Sequence, residues 1–325
     1  MAPVGVSDRI VTVFGGSGFV GRHVIRALAA QGWRVRNACR RPDLAFHLQP
    51  LGSVGQIVSV QANVRNTPSV EAAVEGADAV INLVAIAYES GRQTFHDVHV
   101  GGAARVAEAA KAAGVKTLVQ MSALGISAES KSVYARTKVE GEAAVLKAFP
   151  DAVILRPSVI FGPEDRFLNR FAALARLSPV LPLIGGGATK FQPIFVGDVA
   201  DAVAAVLGGR AKAGGTYELG GPDVQSFREI MEYILEVTGR KRLLVPLPFP
   251  IAALQAQFLQ LLPKPLLTAD QVELLKGDSV VSQTAAKNGF VLENLGVRST
   301  AMDTVVPSYL YRFRKAGQFT DMHAT

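Results

Sequence analysis

Tyr134 and Lys138, in the run Tyr-Ala-Arg-Thr-Lys, stand four residues apart, a spacing that puts both side chains on one face of a helix. An ammonium so placed lowers the pKa of the phenol and can hold sugar hydroxyls, so the pair can give or take a proton while a hydride moves. A second constellation, Gly15-Gly16-Ser17-Gly18-Phe19-Val20-Gly21, follows a β-like run at 10–14 and leads into a pattern with Val24, Ile25 and Leu28 on one helical face. Strand, glycine turn and helix together make a dinucleotide cradle. Gly15 permits the tight turn, Gly18 lets a pyrophosphate approach the backbone, and Gly21 lets the helix pack against the strand.

The next β-like run, 35–39, ends in Arg40-Arg41. An NAD site needs a carboxylate there for the ribose 2′-hydroxyl, whereas a guanidinium binds a 2′-phosphate bidentately. The expected cofactor is therefore NADPH (NADP), with Arg40 the first choice for the phosphate and Arg41 the second. Asp43, after Pro42, reads as the N-cap of a following helix. The bland alternatives are a glycine turn without a ligand, solvated loop arginines and an ordinary amphipathic helix.

Such residues need a scaffold that gathers them at the ends of parallel strands. Apolar, β-branched runs at 10–14, 35–39, 57–60, 79–84, 117–121 and 153–156 alternate with helical patterns at 68–75, 101–113 and 132–148. That is the rhythm of an α/β fold, a doubly wound parallel Rossmann sheet with a smaller C-terminal α/β lobe. Residues 1–160 read as the dinucleotide-binding domain, and 192–207, strand then helix, reads as returning to its sheet, so that 191–210 rejoin it. Residues 161–190 and 211–325 read as the smaller substrate- or partner-docking lobe, punctuated by Pro163, Pro179, Pro182 and Gly185-Gly186-Gly187.

The 325 residues carry a net charge of +7 with the cations dispersed, which argues against nucleic-acid binding. One cysteine, Cys39, excludes an internal disulfide and a cysteine-rich zinc site, and it reads as a small core residue. His96 and His99 are three apart but lack a third ligand, so no metal is expected. Glu164 and Asp165 beside Arg166 read as helix N-terminal charges or an ion pair. The glycine triplet lacks the Gly-Lys-Ser/Thr order of a phosphate loop and reads as a flexible connection. The tail run 309–315 mixes aromatics with cations and reads as a surface helix end or a contact for lipid headgroups or an acidic subunit. No signal peptide is read at the start of the chain. The most apolar run, 243–267, is broken by prolines, and its helical part, 251–262, would rise only about 18 Å, too short to span a bilayer.

Beyond these motifs the chain resembles the short-chain dehydrogenase/reductase superfamily in its extended and atypical branches. Tyr134 and Lys138 are then its Tyr-x-x-x-Lys signature. Asn63-Val64 is similar to the Asp-Val that touches adenine, and Leu83-Val84-Ala85 to the segment lining the nicotinamide side. Val98-His99-Val100-Gly101-Gly102 resembles Val-Asn-Val-x-Gly-Thr with His99 in place of Asn. Arg156-Pro157, Phe161-Gly162-Pro163 and Phe195-Val196-Gly197-Asp198-Val199 are similar to later landmarks, and the resemblance adds Pro157 and Ile160 to the cofactor residues. In 119–123, Ala123 falls where the family's catalytic Ser or Thr stands. Met121 and Ser122 are expected to line the cofactor. Ser122 is the third catalytic candidate, one position early and so on the opposite strand face.

Residues 149–169 and 268–282 resemble, more narrowly, the NADPH-binding accessory subunit of respiratory complex I in its alphaproteobacterial form. That resemblance implies a tightly held structural NADPH and docking on the peripheral arm near the quinone site, with other complex I subunits as partners. It also implies a peripheral location on the cytoplasmic side of a bacterial inner membrane, where 243–267 could contact the membrane surface. A free-standing NADP-dependent reductase or epimerase is the alternative that Tyr134 and Lys138 support. A redox-sensing or scaffold protein of the same fold is the third.

Overall fold

The computed structural model describes residues 5–263 and 265–315. The chain runs β1 (Ile10–Phe14), α1 (Phe19–Ala30), β2 (Arg34–Cys39), β3 (Ile57–Gln61), α2 (Thr67–Val74), β4 (Ala79–Asn82), a wide π-type turn (His96–Gly102), α3 (Ala103–Ala112), β5 (Thr117–Met121), α4 (Val133–Ala148) and β6 (Val153–Pro157). It continues through β7 (Ile160–Phe161), α5 (Leu168–Leu177), β8 (Val180–Ile184), β9 (Lys190–Phe191), β10 (Ile194–Phe195), α6 (Val196–Leu207), β11 (Thr216–Leu219), β12 (Gln225–Ser226), α7 (Phe227–Val237), β13 (Leu243–Leu247), α8 (Phe249–Leu259), α9 (Ala269–Leu274), α10 (Gln283–Asn288), α11 (Met302–Val305) and α12 (Pro307–Leu310).

The first compact unit comprises the residues up to Pro157 together with Gly197–Leu219 and Ser282–Arg298. Its seven strands lie in the order β11-β6-β5-β4-β1-β2-β3, all parallel, as the βαβ rhythm requires. A parallel sheet has helices on its faces, so its strands are buried runs rather than alternating ones. Val11, Val13 and Phe14 of β1 are accordingly shut from solvent. One helical layer is alanine- and valine-rich, with Val70, Ala73, Val106 and Ala110 packed on Val80 and Ile154. Side chains cap two of these helices: Asn66 Oδ1 accepts from Ser69 N–H at 3.0 Å, and Ser132 Oγ from Ala135 N–H at 3.1 Å.

The expected strands and helices of this unit form, with two differences. The run 101–113 does not start as an α-helix; the chain first makes the wide turn at His96–Gly102. The strand expected in 192–207 does not join the main sheet. Ile194–Phe195 pairs with Ile160–Phe161, and it is Thr216–Leu219 that extends the sheet beyond β6.

The second unit comprises Ser158–Val196, Gly220–Val281 and the residues from Ser299. It packs Phe161, Leu168, Leu183, Phe227, Ile230 and Ile234 around the aromatics of the tail. Tyr309, Leu310 and Phe313 are buried here. The tail run is thus anchored in the core by three residues, while Tyr311, Arg312 and Lys315 stay exposed; Arg314 Nε bonds to Val237 O at 2.9 Å and Arg312 Nη2 to Pro163 O at 3.3 Å. Asp165 is the buried acceptor at the start of α5. Its carboxylate takes N–H bonds from Phe167 and Asn169 at 2.9 and 3.2 Å and the Tyr309 hydroxyl at 2.8 Å, which replaces the ion pair considered with Arg166. Burial raises the pKa of both Asp165 and Tyr309. The glycine triplet is a turn in which all three residues hold positive φ, between β8 and β9, with no phosphate-loop geometry.

Candidate functional site

The site begins at the C-terminal end of β1. Gly15 holds φ +80°, a conformation that disfavours a side chain, and its carbonyl accepts from Gly18 N–H at 3.1 Å. A Cβ on Gly21 would lie inside the contact distance of the Gly15 carbonyl and the Gly16 backbone, so only glycine lets α1 sit this close to the turn. Gly18 is the N-cap of α1, without a side-chain cap and with no acidic residue in the first turn. The helix therefore offers its leading N–H groups, alongside Ser17, Phe19 and Val20, to an anion. Sequence reasoning passed over one partner of this turn, Asn37. A Cβ on Gly16 would meet the Asn37 side chain at 2.5 Å, and Asn37 Oδ1 is buried with no hydrogen-bond partner among the described residues. A buried Asn in the middle of β2, Arg-Val-Arg-Asn-Ala-Cys, was the available signal.

At the ends of β2 and β3 lies a pocket of about 390 Å³ lined by Arg40, Gln61, Ala62, Asn63, Asn66 and Ser69. It brings Arg40 and Asn63 together, as the sequence reading requires of a 2′-phosphate and adenine site. Arg40 Nη1 donates to Gln93 Oε1 at 2.6 Å. Arg41 is engaged elsewhere, in a two-pronged pair with Asp43 at 2.9 and 2.6 Å. That pair raises the Arg41 pKa and lowers that of Asp43, and it removes Asp43 from the helix-capping role expected for it. Asn63 Oδ1 accepts from Arg65 N–H at 3.1 Å, while Val64 is buried against the alanine-rich layer. Cys39 is buried and accepts from Asn37 Nδ2 at 3.5 Å, and burial pushes its thiol pKa up.

The proton-handling pair lies on α4. Lys138 is 5% exposed and its Nζ donates to the Met121 carbonyl at 2.9 Å, across from α4 to the end of β5. Burial lowers its pKa to about 8, against the opposing charge of Glu142, so it stays a cation at neutral pH. Glu142 is itself clasped by Arg156 at 2.9 and 2.5 Å. The Tyr134 ring packs edge-on against His99 and Phe95, at centroid distances of 5.2 and 5.8 Å. His99 is buried, its Nε2 accepts from Ile86 N–H at 3.1 Å, and its Nδ1 lies 3.2 Å from Thr137 Oγ1. With Nε2 accepting, Nδ1 must carry the proton. Burial first, and Lys138 second, lower the His99 pKa to about 3, so the ring is neutral. His99 thus ties the segment after β4 to the helix that carries Tyr134. His96 is exposed, and no cluster of metal-ligating side chains occurs among the described residues.

Of the remaining expected residues, Leu83 and Val84 leave β4 beside the glycine turn, with Leu83 N–H bonded to the Phe14 carbonyl at 3.0 Å, and Ala85 is exposed. Met121 is buried and Pro157 ends β6, where its carbonyl accepts from Leu124 N–H at 2.9 Å. Ile160 opens β7 in the second unit. Ser122 is buried, and its Oγ finds no partner among the described residues. Beside it Ala123 supplies no hydroxyl. A dinucleotide fits these residues: the cradle admits no Cβ, the leading N–H groups of α1 are uncapped, and two buried polar atoms, Asn37 Oδ1 and Ser122 Oγ, await a partner. Bound there, a nicotinamide supplies a hydride donor or acceptor. Tyr134 and Lys138 can then hold ribose hydroxyls and move a proton.

The model of the NAD dependent epimerase/dehydratase family matches residues 11–220. The mitochondrial NADH dehydrogenase (ubiquinone) 1 alpha subcomplex subunit 9 of Arabidopsis thaliana is 37% identical over 324 residues, covering 96% of this chain and 80% of that protein. A ceramide reductase of Caulobacter vibrioides is 33% identical over 243 residues, 74% of each chain. Among solved structures, an NADPH-dependent quinone oxidoreductase of Escherichia coli complexed with NADPH superposes with a TM-score of 0.71 at 22% identity, over 93% of this chain and 99% of that one, a likeness of fold. Fold and glycine turn are those of a nicotinamide-dinucleotide site. The chain belongs to the NAD dependent epimerase/dehydratase family and is, within it, a homologue of the accessory subunits of NADH:ubiquinone oxidoreductase, complex I.

Proposed function

We propose that this protein is a bacterial complex I accessory subunit that holds NADPH as a structural ligand. In this reading it docks on the peripheral arm near the quinone site, on the cytoplasmic side of the inner membrane. The observation that carries the subunit reading is the similarity to complex I subunit 9, which runs over 96% of the chain rather than over the glycine turn alone. Arg40 at the mouth of the pocket, with no carboxylate at the end of β2, supports NADPH over NADH. Ala123 in the hydroxyl position and a neutral, fully engaged His99 support retention over turnover. The exposed apolar side chains on and just after α8, Ile251, Leu254, Phe258 and Leu261, support docking, since neighbouring exposed apolar side chains mark interaction sites.

Purification from membranes under mild detergent, followed by extraction of bound nucleotide, tests the proposal. NADPH at near-unit stoichiometry in a protein that co-purifies with NADH:ubiquinone oxidoreductase is the expected result. Recovery only as a free protein, without nucleotide, would overturn it. A second reading, a free-standing NADP-dependent reductase or epimerase, draws on Tyr134 and Lys138 and on the similarity to a ceramide reductase. It requires Tyr134→Phe to abolish turnover of a substrate.

A further inference from the structure

The structure assigns Gln93, which lies outside the residues that the glycine turn and the strand ends mark out, to the 2′ end of the nucleotide site. There it sets the choice between a 2′-phosphate and a 2′-hydroxyl. The inference deepens the NADPH reading and rests on it. The segment between β4 and the wide turn closes on itself through a reciprocal backbone pair between Ser90 and Gln93, at 3.1 and 3.0 Å, with Gly91 at φ +56° in the bend. Glu89 Oε1 accepts from Phe95 N–H at 2.7 Å and fixes its base. Two arginines then draw this hairpin away from its own strand. Arg40, just after β2, donates to the Gln93 side chain, and Arg65, after β3, donates to the Arg92 carbonyl, each at 2.6 Å.

In the sheet order β4-β1-β2-β3, a segment that leaves β4 and is fastened beyond β2 and β3 must pass the C-terminal edge of β1, where the glycine turn lies. The hairpin thus sets the Gln93 side chain against Arg40, one of the residues that line the pocket. A carboxamide is suited to this position because its two ends differ. Oε1 holds Arg40, which aims the guanidinium, and the two Nε2 hydrogens remain to donate to a phosphate oxygen beside it. A 2′-hydroxyl gains little from that donor. A carboxylate at 93 would repel the phosphate and accept from the hydroxyl, the logic of an NAD site.

Titration of the full chain, stripped of nucleotide, with NADPH and with NADH tests this. Gln93→Glu is expected to weaken NADPH at least about tenfold while NADH binds unchanged or tighter, and Gln93→Ala to weaken NADPH about fivefold and leave NADH unchanged. Gln93 is on an exposed hairpin, so both variants should keep the wild-type melting temperature. If Arg40→Ala removes the preference for NADPH but both Gln93 variants retain it, the role of Gln93 falls and the NADPH reading stands. If the wild type shows no preference, or Arg40→Ala keeps it, the NADPH reading falls and this inference with it.

Discussion

A histidine buried beside a lysine stays neutral only at a cost that solution pH can reveal. His99 titrates near 6.5 when unfolded but at about 3 in the fold, so below pH 6.5 the unfolded chain takes up a proton that the folded one refuses. Its contribution is complete above pH 6.5 and is lost progressively down to about pH 3, on the order of 5 kcal/mol at about 1.4 kcal/mol per unit. Urea unfolding between pH 7 and 4 should therefore show a shallower acid loss in His99→Asn than in the wild type, and parallel curves would refute the neutral, locked ring. The sequence ranks Arg40 ahead of Arg41 for the 2′-phosphate, and their contacts give that ranking a physical basis. Arg41 is spent on exposed Asp43, whereas Arg40 faces the pocket. Arg41→Ala should change the NADPH dissociation constant less than about twofold and Arg40→Ala raise it at least about tenfold, read by the same titration. Equal effects would place the phosphate between them and discard the assignment to Arg40.

At the scale of elements, what was legible was whatever local chemistry dictates. The apolar runs named the six strands from β1 to β6 nearly to the residue: central strands such as β1 and β5 are buried runs with no polar alternation, and the partly exposed β2 and β3 still carry β-branched residues. β11, Thr-Tyr-Glu-Leu, escaped notice because an edge strand of four residues carries too little pattern. The wide turn at His96–Gly102 escaped for a different reason. Its course is fixed by packing against α4, where a Cβ on Gly141 would strike the His99 carbonyl, and no local propensity encodes that. The glycine turn was readable because each glycine answers a backbone demand. Gly21→Ala adds a methyl with no room beside Gly15 and Gly16, so α1 must shift outward at about 1–3 kcal/mol. The helix N-terminus would move with it. A lowered melting temperature together with loss of bound nucleotide is expected, and a Gly21→Ala chain that retains nucleotide would show that α1 does not position the phosphates.

For the molecule as a whole, each unit is assembled from three separate stretches of chain; the pattern allowed one return to the first unit, at 191–210, whereas Gly197–Leu219 and Ser282–Arg298 both belong to it. Pattern also failed to say which apolar residues are buried and which are offered outward, and that decides the reading of 243–267. In α8 and the turn after it, Ala252 and Ala256 pack against Val272 and Ile184, while Ile251, Leu254, Phe258, Leu261 and Leu262 remain exposed, Phe258 at 68% and Leu261 at 79%. Positions spaced by three, four and three residues form one stripe, on the side opposite the alanines. Among the described residues no helix is long and apolar enough to cross a membrane. Covering three such side chains contributes about 1.5 kcal/mol each, about 4.5 kcal/mol together, which is about three decades in affinity. The triple variant Leu254→Gln, Phe258→Ser and Leu261→Gln leaves the core of both units untouched. It should bind NADPH and melt as the wild type does, yet appear in the soluble rather than the complex-bound fraction when detergent extracts are resolved by size. Retention of the variant in the complex would move the docking surface elsewhere on the molecule, and loss of NADPH along with docking would mean that the stripe supports the fold rather than the partner.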